Sequence, residues 1–173
     1  MAKRKPRYVP SREERYMGLA FWMASFSKDP DTQVGALIVS DENVPLGYGY
    51  NGPPSNFLDS EVSWKRPEKY SFIRHAEKNA ITHSSGPLEG ATLYVTARPC
   101  TTCMLDIIAV KIKKVIYFPL KPDKDSSLCL NEETAKATEE KAKKGKVDLV
   151  EFDGNLNWMR DRIVEMNVLG VFG

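Results

Sequence analysis

Helical and extended periodicities alternate along the chain and predict ten elements. Ser11 and Glu14 have the spacing of a helix-capping box, and apolar residues then recur every three or four positions as far as Ser27. Two short apolar runs, 34–39 and 44–50, flank a polar turn and predict a β-hairpin. By the same criteria, later helices are expected at 77–83, 101–110, 132–144 and 155–166, and later strands at 91–97, 114–118 and 147–152.

The resulting order of elements, α-β-β-α-β-α-β-α-β-α, is typical of the α/β class. Helices that alternate with strands cover both faces of one sheet, so we expect a three-layer α/β/α sandwich around a mixed sheet of about five strands. The segment 51–70, which follows the hairpin, is rich in Pro, Ser and Asn. Its length is typical of a functional loop rather than of a simple connection.

The size of the chain fits one domain. Its 173 residues, 42% of them hydrophobic, suffice for one buried core. We therefore assign 11–173 to a single domain. Residues 1–10 are basic and contain two prolines, which predicts a flexible N-terminal tail.

Charge and cysteine usage narrow the range of partners. Twenty-five basic and 23 acidic side chains leave a formal charge of +2, which favours a small anionic ligand over a nucleic-acid backbone. No apolar run approaches the roughly 20 residues of a membrane span, and no secretory signal is predicted. Two of the three cysteines form one C-x-x-C pair, and Cys129 reads as an ordinary thiol. This usage indicates a reducing compartment and predicts a cytoplasmic protein.

The strongest chemical signal is a pair of short motifs. His75-Ala76-Glu77 is followed after 21 residues by Pro99-Cys100-Thr101-Thr102-Cys103. His75, Cys100 and Cys103 supply three ligands for Zn²⁺, and a zinc ion with three protein ligands keeps a position for water, whose pKa it lowers towards about 7. Both motifs lie where a helix is predicted to begin, and the positive helix ends would favour thiolate at both cysteines. This H-x-E…P-C-x-x-C pattern is typical of zinc deaminases.

Glu77 is the candidate for proton transfer. We expect it to take a proton from the attacking water, give it to the ring nitrogen beside the attacked carbon, and later protonate the leaving amine. A structural zinc site or a redox dithiol is the alternative. A structural site normally has a fourth ligand, and neither His83, two turns beyond His75, nor Cys129 is well placed to provide it.

Further runs beside the zinc motifs carry a family resemblance. They are Ser27-Lys28-Asp29-Pro30-Asp31-Thr32-Gln33-Val34-Gly35-Ala36, Gly49-Tyr50-Asn51-Gly52-Pro53, Trp64-Lys65-Arg66 and His75-Ala76-Glu77-Lys78-Asn79-Ala80-Ile81. With Pro99-Cys100-x-x-Cys103, they make about residues 11–120 resemble deoxycytidylate (dCMP) deaminases. The zinc motif by itself indicates the wider cytidine deaminase-like superfamily.

The resemblance implies a CMP/dCMP-type deaminase domain with a cytidine deaminase-like fold. It implies hydrolysis of dCMP to dUMP and ammonia, a step of pyrimidine nucleotide biosynthesis, by a homo-oligomer that binds zinc and a small nucleotide. It also suggests a nucleoside triphosphate effector. Asn51 would contact the substrate, although Asn-Gly is equally typical of a turn. The basic residues nearest to the motifs, and so the candidates for binding the substrate phosphate, are Lys28, Lys65, Arg66 and Arg74.

Other functions stay open at this point. The same zinc chemistry serves a dCTP or cytidine deaminase, and a polynucleotide deaminase acting on tRNA or single-stranded DNA. The balanced charge does not favour a polynucleotide, which needs a basic, aromatic-lined track. A different class is an inactive zinc-binding regulatory subunit. The intact Glu77 argues against that class, because such a subunit is free to lose its proton carrier.

Overall fold

The computed structural model describes residues 8–119 and 131–168, and the ten predicted elements occur in it in the predicted order. Their ends shift by a few residues. Residues 1–7 of the predicted tail and Cys129 lie outside the described part, and the single-domain assignment stays a prediction. The helices are α1 (Arg12–Ala24), α2 (Ala76–Thr82), α3 (Thr101–Ala109), α4 (Glu132–Lys144) and α5 (Asn157–Val168). The strands are β1 (Gly35–Val39), β2 (Pro45–Tyr50), β3 (Thr92–Val95), β4 (Lys114–Tyr117) and β5 (Asp148–Glu151).

The five strands form one mixed sheet in the order β2-β1-β3-β4-β5. Strand β1 runs antiparallel to both of its neighbours, whereas β3, β4 and β5 run parallel to one another. Parallel neighbours need a long crossover, and the helices α3 and α4 lie in the two crossovers of this part. The mixed sheet of five strands confirms the predicted fold class.

Helices cover both faces of the sheet, so the interior strand β1 is buried along its whole length. Alternate side chains point to opposite faces. Ala36 and Ile38 belong to a core with side chains of α2, α3 and α4, whereas Leu37 and Val39 belong to a second core with side chains of α1. The three layers are therefore α1, the sheet, and the group of α2, α3 and α4.

Helix α1 begins with the predicted capping box and also holds the start of the C-terminal segment. The Ser11 hydroxyl accepts the Glu14 backbone N–H, and the Glu14 carboxylate accepts the Ser11 N–H at 2.7 Å and the Asn155 N–H at 2.9 Å. The backbone hydrogen bonds from Asn155 and Ser11 lower the pKa of Glu14. Helix α5 packs against α1, where Trp158 and Met159 lie over Gly18.

Every helix within the described ranges is too short or too polar to serve as a membrane span.

The loop of residues 51–74, hereafter the 51–74 loop, is more ordered than its composition suggests. Gly52 and Arg74 exchange two backbone hydrogen bonds, which tie the two ends of the loop together. Between them lie two short 3₁₀ turns, Asp59–Glu61 and Glu68–Ser71. The loop then leads directly into α2.

Close backbone packing joins the edge strand β2 to α2. Gly47 and Gly49 lie on the same face of β2. A Cβ atom at Gly49 would lie 2.4 Å from the Ala80 nitrogen and 2.5 Å from the Ala76 carbonyl oxygen, both on the backbone of α2. The absence of a side chain at this position therefore sets how closely the helix that follows His75 approaches the sheet.

We predict that Gly49→Ala destabilises the protein by about 1–3 kcal/mol, because the methyl group forces α2 away from the sheet. Gly86→Ala is the matched control, since a Cβ at Gly86 meets no atom within 4 Å. Urea unfolding measures both free energies. Equal stability of the two variants would contradict the close-packing argument.

Candidate metal centre and active site

The two zinc motifs lie at the N-termini of two neighbouring helices, as the sequence predicts. His75 is the N-cap of α2 and Cys100 is the N-cap of α3, and both have extended backbone angles. Neither side chain caps its own helix. Cys103 lies within the first turn of α3. The backbone therefore brings the three side chains together. The donor atoms of His75 and Cys100 are not used to cap the helices that they begin.

The geometry of the three donor atoms fits zinc. His75 Nδ1 lies 3.5 Å from Cys100 Sγ and 3.3 Å from Cys103 Sγ. Zinc–ligand bonds of about 2.3 Å to sulfur and about 2.0 Å to nitrogen place such atoms about 3.5 Å apart around a tetrahedral ion. Both cysteines are buried, and neither forms a disulfide. In the part of the chain that the structure describes, these three residues form the one cluster of this kind.

The surroundings of the cluster affect the ionisation of its donor groups. The hydrogen bond with Cys100, and then burial, raise the pKa of the Cys103 thiol. The hydrogen bond with Cys100 also raises the pKa of His75. A cation between these donors is what would favour the thiolate form, because a thiol that coordinates zinc loses its proton.

Glu77 lies in the first turn of α2, next to the donor cluster. Its side chain is only 4% exposed. Burial raises the pKa of the carboxyl, while the nearby His75 and a hydrogen bond with the Cys103 side chain oppose that rise. A raised pKa brings a carboxyl closer to the working pH, and a group whose pKa lies near that pH is suited to acid–base catalysis.

Two contacts around the cluster were not predicted from the sequence. The Thr102 hydroxyl lies 3.1 Å from Cys100 Sγ, within hydrogen-bond distance of a sulfur ligand. The Lys78 ammonium lies 3.3 Å from an Asp106 carboxylate oxygen and joins α2 to α3. The position of Thr102 inside the C-x-x-C motif could have indicated its contact with the sulfur. Nothing in the sequence could have indicated the Lys78–Asp106 contact, because it depends on how the two helices pack.

Asn51 is buried, and its amide serves the fold. Its Oδ1 accepts the Val34 N–H at 2.7 Å, and its Nδ2 donates to the Thr32 carbonyl at 2.9 Å and to Asp29 at 3.5 Å. These bonds join the end of β2 to the segment before β1. The role of Asn51 in substrate binding stays a prediction.

The four basic candidates for phosphate binding do not share one environment. Lys28 and Lys65 are exposed. Arg66 lies beside the segment before β1, with Nε 3.4 Å from Asp31 and a hydrogen bond to the Thr32 hydroxyl. Arg74 donates to the Thr82 hydroxyl and lines a groove of about 370 Å³ between α2 and α3, on which Lys78, Ile81, Asp106, Ala109 and Val110 also border.

Lys69 is the functional candidate that reasoning from the sequence missed. It is a fully buried lysine in the 51–74 loop, and it makes ion pairs with Asp29 and Asp31. Burial alone would lower the pKa of Lys69, but the hydrogen bonds to Asp31 and Asp29 outweigh it and raise that pKa. No local sequence pattern distinguishes Lys69 from an exposed lysine, because its burial depends on the contacts with Asp29 and Asp31.

Comparisons with known proteins agree with the fold and the motifs. Residues 10–119 match the family model of the cytidine and deoxycytidylate deaminase zinc-binding region. Deoxycytidylate deaminase of Homo sapiens is 42% identical over 111 residues, which are 60% of this chain and 62% of that protein. The chain therefore spans less than two thirds of the length of that relative.

Solved structures show the same architecture. The dCMP deaminase of cyanophage S-TIM5 in its apo form is 26% identical, with a TM-score of 0.63 over 84% of this chain and all of that one. The same enzyme in complex with dCMP and dUMP gives a TM-score of 0.62 at 25% identity, with the same coverage of both chains. These matches confirm the predicted cytidine deaminase-like sandwich. The matched family region binds zinc, and the donor cluster fits that metal. The chain belongs to the cytidine and deoxycytidylate deaminase zinc-binding family.

Proposed function

We propose that the protein catalyses the zinc-dependent hydrolytic deamination of dCMP to dUMP and ammonia. The observation that carries this proposal is the cluster of His75, Cys100 and Cys103 donor atoms with the buried Glu77 carboxyl beside it. Support for the substrate comes from the relatives: the human protein is a deoxycytidylate deaminase, and the cyanophage enzyme was solved with dCMP and dUMP.

In this proposal His75 Nδ1 and the two sulfur atoms hold zinc. Bound zinc supplies a Lewis acid that lowers the pKa of water and so provides a nucleophile near neutral pH. The three protein ligands leave one position of the tetrahedron open. The remaining steps depend on the carboxyl of Glu77.

Glu77 moves both protons of the attacking water. The water oxygen bonds to C4 of the cytosine ring while Glu77 takes the first proton and passes it to N3, where it stays in the uracil product. The second proton passes through the same carboxyl to the exocyclic amine. The bond between C4 and that amine then breaks, and ammonia leaves. The burial that raises the pKa of Glu77 suits both halves of this transfer.

The finer expectations from the sequence belong to the same proposal. Asn51 contacts the sugar, and Arg66, with Lys28 and Lys65, binds the substrate phosphate. The guanidinium of Arg74 borders the groove between α2 and α3, so its assignment to the phosphate has less support. We further propose that the protein is a homo-oligomer and that a nucleoside triphosphate regulates it. Its proposed location is the cytoplasm. The two cysteines of the C-x-x-C motif form no disulfide, which supports a reducing compartment.

A panel of dCMP, dCTP, deoxycytidine, cytidine and single-stranded DNA, followed by ultraviolet absorbance and ammonia release, tests the substrate. We expect kcat/KM for dCMP to exceed the others by at least about tenfold, which corresponds to about 1.4 kcal/mol. EDTA-treated protein should be inactive and should recover with zinc. Zinc binding without ammonia release from any substrate would indicate the inactive regulatory subunit.

The same panel tests the phosphate assignment through Arg66→Ala. A charged hydrogen bond to phosphate is worth about 1.5–3 kcal/mol, so KM for dCMP should rise at least about tenfold while KM for deoxycytidine does not change. Arg160→Ala is the control, because Arg160 belongs to an exposed ion pair with Asp161. Equal effects on nucleotide and nucleoside would exclude a phosphate role.

The metal assignment predicts different outcomes for the two histidines of the chain. His75→Ala should weaken zinc binding more than about 100-fold, since loss of a mere hydrogen-bonding partner of a ligand already costs 10–100-fold. His83→Ala should retain zinc, because His83 is an exposed residue that caps the end of α2. Competition with a chromophoric chelator measures both affinities. Similar zinc affinities for the two variants would contradict the assignment.

The proton-transfer assignment predicts that Glu77→Gln keeps zinc but loses turnover. General acid–base catalysis contributes about 10²–10⁴-fold, and kcat should fall by at least that much. Glu14→Gln is the matched control, because Glu14 is also buried but belongs to the cap of α1. Both variants are assayed well below their unfolding temperatures and with measured zinc content. Near-normal kcat in Glu77→Gln would exclude this role.

A further inference from the structure

The buried ammonium of Lys69 is fully satisfied by carboxylates from another segment of the chain. Lys69 Nζ lies 2.9 and 3.0 Å from the two Asp29 oxygens and 2.9 Å from Asp31 Oδ2. The Lys69 and Asp29 side chains are each only 3% exposed. Lysine is almost never buried to this degree unless it is paired, because an isolated buried charge is costly. We refer to Lys69, Asp29 and Asp31 as the Lys69 clamp.

The Asp29 end of the clamp is held rigidly. The Asp29 carboxylate also accepts the backbone N–H groups of Asp31 and Thr32, which fixes the turn before β1. It lies 3.5 Å from the Asn51 amide nitrogen, and the same amide donates to Thr32. The position of Asn51, the proposed sugar contact, is therefore joined to the position of Lys69 through one carboxylate.

The Lys69 end of the clamp continues into the metal centre. The Lys69 carbonyl accepts the backbone N–H groups of Phe72 and Ile73. The next residue, Arg74, is bridged to Gly52, and His75 follows as the N-cap of α2. Five residues, most of them hydrogen-bonded through their backbone, thus separate Lys69 from the proposed zinc ligand.

We propose that Lys69 is a positioning residue, whose clamp holds the 51–74 loop so that Asn51 and His75 keep their places. Lys69 itself is buried among carboxylates and acts through these two residues. This role rests on the proposed function, to which it adds the part of the chain that orders the site.

Hydrogen exchange tests the clamp without reference to activity. In Lys69→Met, amides of Phe72, Ile73 and Arg74 should exchange at least about tenfold faster, while amides of β4 and α4 change much less, because local opening does not require global unfolding. Lys111→Met is the matched control, since Lys111 forms an exposed ion pair with Glu89. A uniform rise over the whole chain would mean that Lys69 contributes to stability only, and would overturn the proposal.

The kinetic half of the test rests on the proposed deamination. For zinc-loaded, fully folded Lys69→Met, kcat/KM for dCMP should fall on the order of 10-fold to 100-fold, because small displacements of positioned groups have effects of this size. KM should rise through Asn51 and kcat should fall through His75. Unchanged kinetic constants in the folded variant would overturn the proposal. Wild-type protein that does not deaminate dCMP would instead refute the proposed function and leave the exchange test intact.

Asp31→Asn covers the case in which Lys69→Met does not fold. Asp31 is the half-exposed partner, so this variant retains the buried pair of Lys69 and Asp29. We expect the same local rise in exchange at Phe72 to Arg74, smaller than in Lys69→Met but several-fold above wild type. Exchange at these amides equal to wild type would overturn the proposal.

Discussion

Everything that this protein is proposed to do depends on three donor atoms, one nitrogen and two sulfurs, that lie within 4.8 Å of one another and so can share one zinc ion. His75 lies 25 residues before Cys100 and 28 before Cys103, so local structure cannot bring them together. The fold does so by starting two adjacent helices at one side of the sheet. The close approach of α2 to the glycines of β2, and the Lys78–Asp106 contact between α2 and α3, then limit how far either helix can move.

The same arrangement accounts for the chemistry of the centre. Burial raises the pKa of Glu77, and the hydrogen bond with Cys100, followed by burial, raises the pKa of Cys103. For Cys103 a bound cation reverses this effect, because coordination removes the thiol proton. For Glu77 the raised pKa is useful in itself, since a carboxyl that can both take and release a proton suits the proposed deamination. Burial at this site therefore suits the proposed role of Glu77 but opposes ionisation of Cys103. A bound zinc ion would favour the thiolate form of Cys103.

A second buried cluster organises the approach to this centre. Asp29 accepts hydrogen bonds from the backbone, from Asn51 and from Lys69, and so joins the segment before β1 to the 51–74 loop. Pairing offsets the cost of burying these charges, and such pairs gain their value through specific geometry more than through net stability. The motif that contains Asp29 therefore contributes to the site by holding these two segments together. This role gives a physical reason for the motif's resemblance to that of the family.

By itself, the sequence determined the family and the order and type of the ten helices and strands in the described part of the chain. It also identified three candidate zinc ligands that the fold brings together, and the buried Glu77 beside them. Those features depend on near neighbours in the chain, such as helix and strand periodicity, the Ser11–Glu14 cap and the spacing within each motif. Only the tertiary structure decided that Asn51 bonds to Val34 and Thr32, that Arg66 lies beside Asp31, and that Lys69 is buried. Burial and charge pairing join residues as far apart as Asp29 and Lys69, 40 positions along the chain. No periodicity encodes such a pair, because it exists only once the sheet has brought the two segments together.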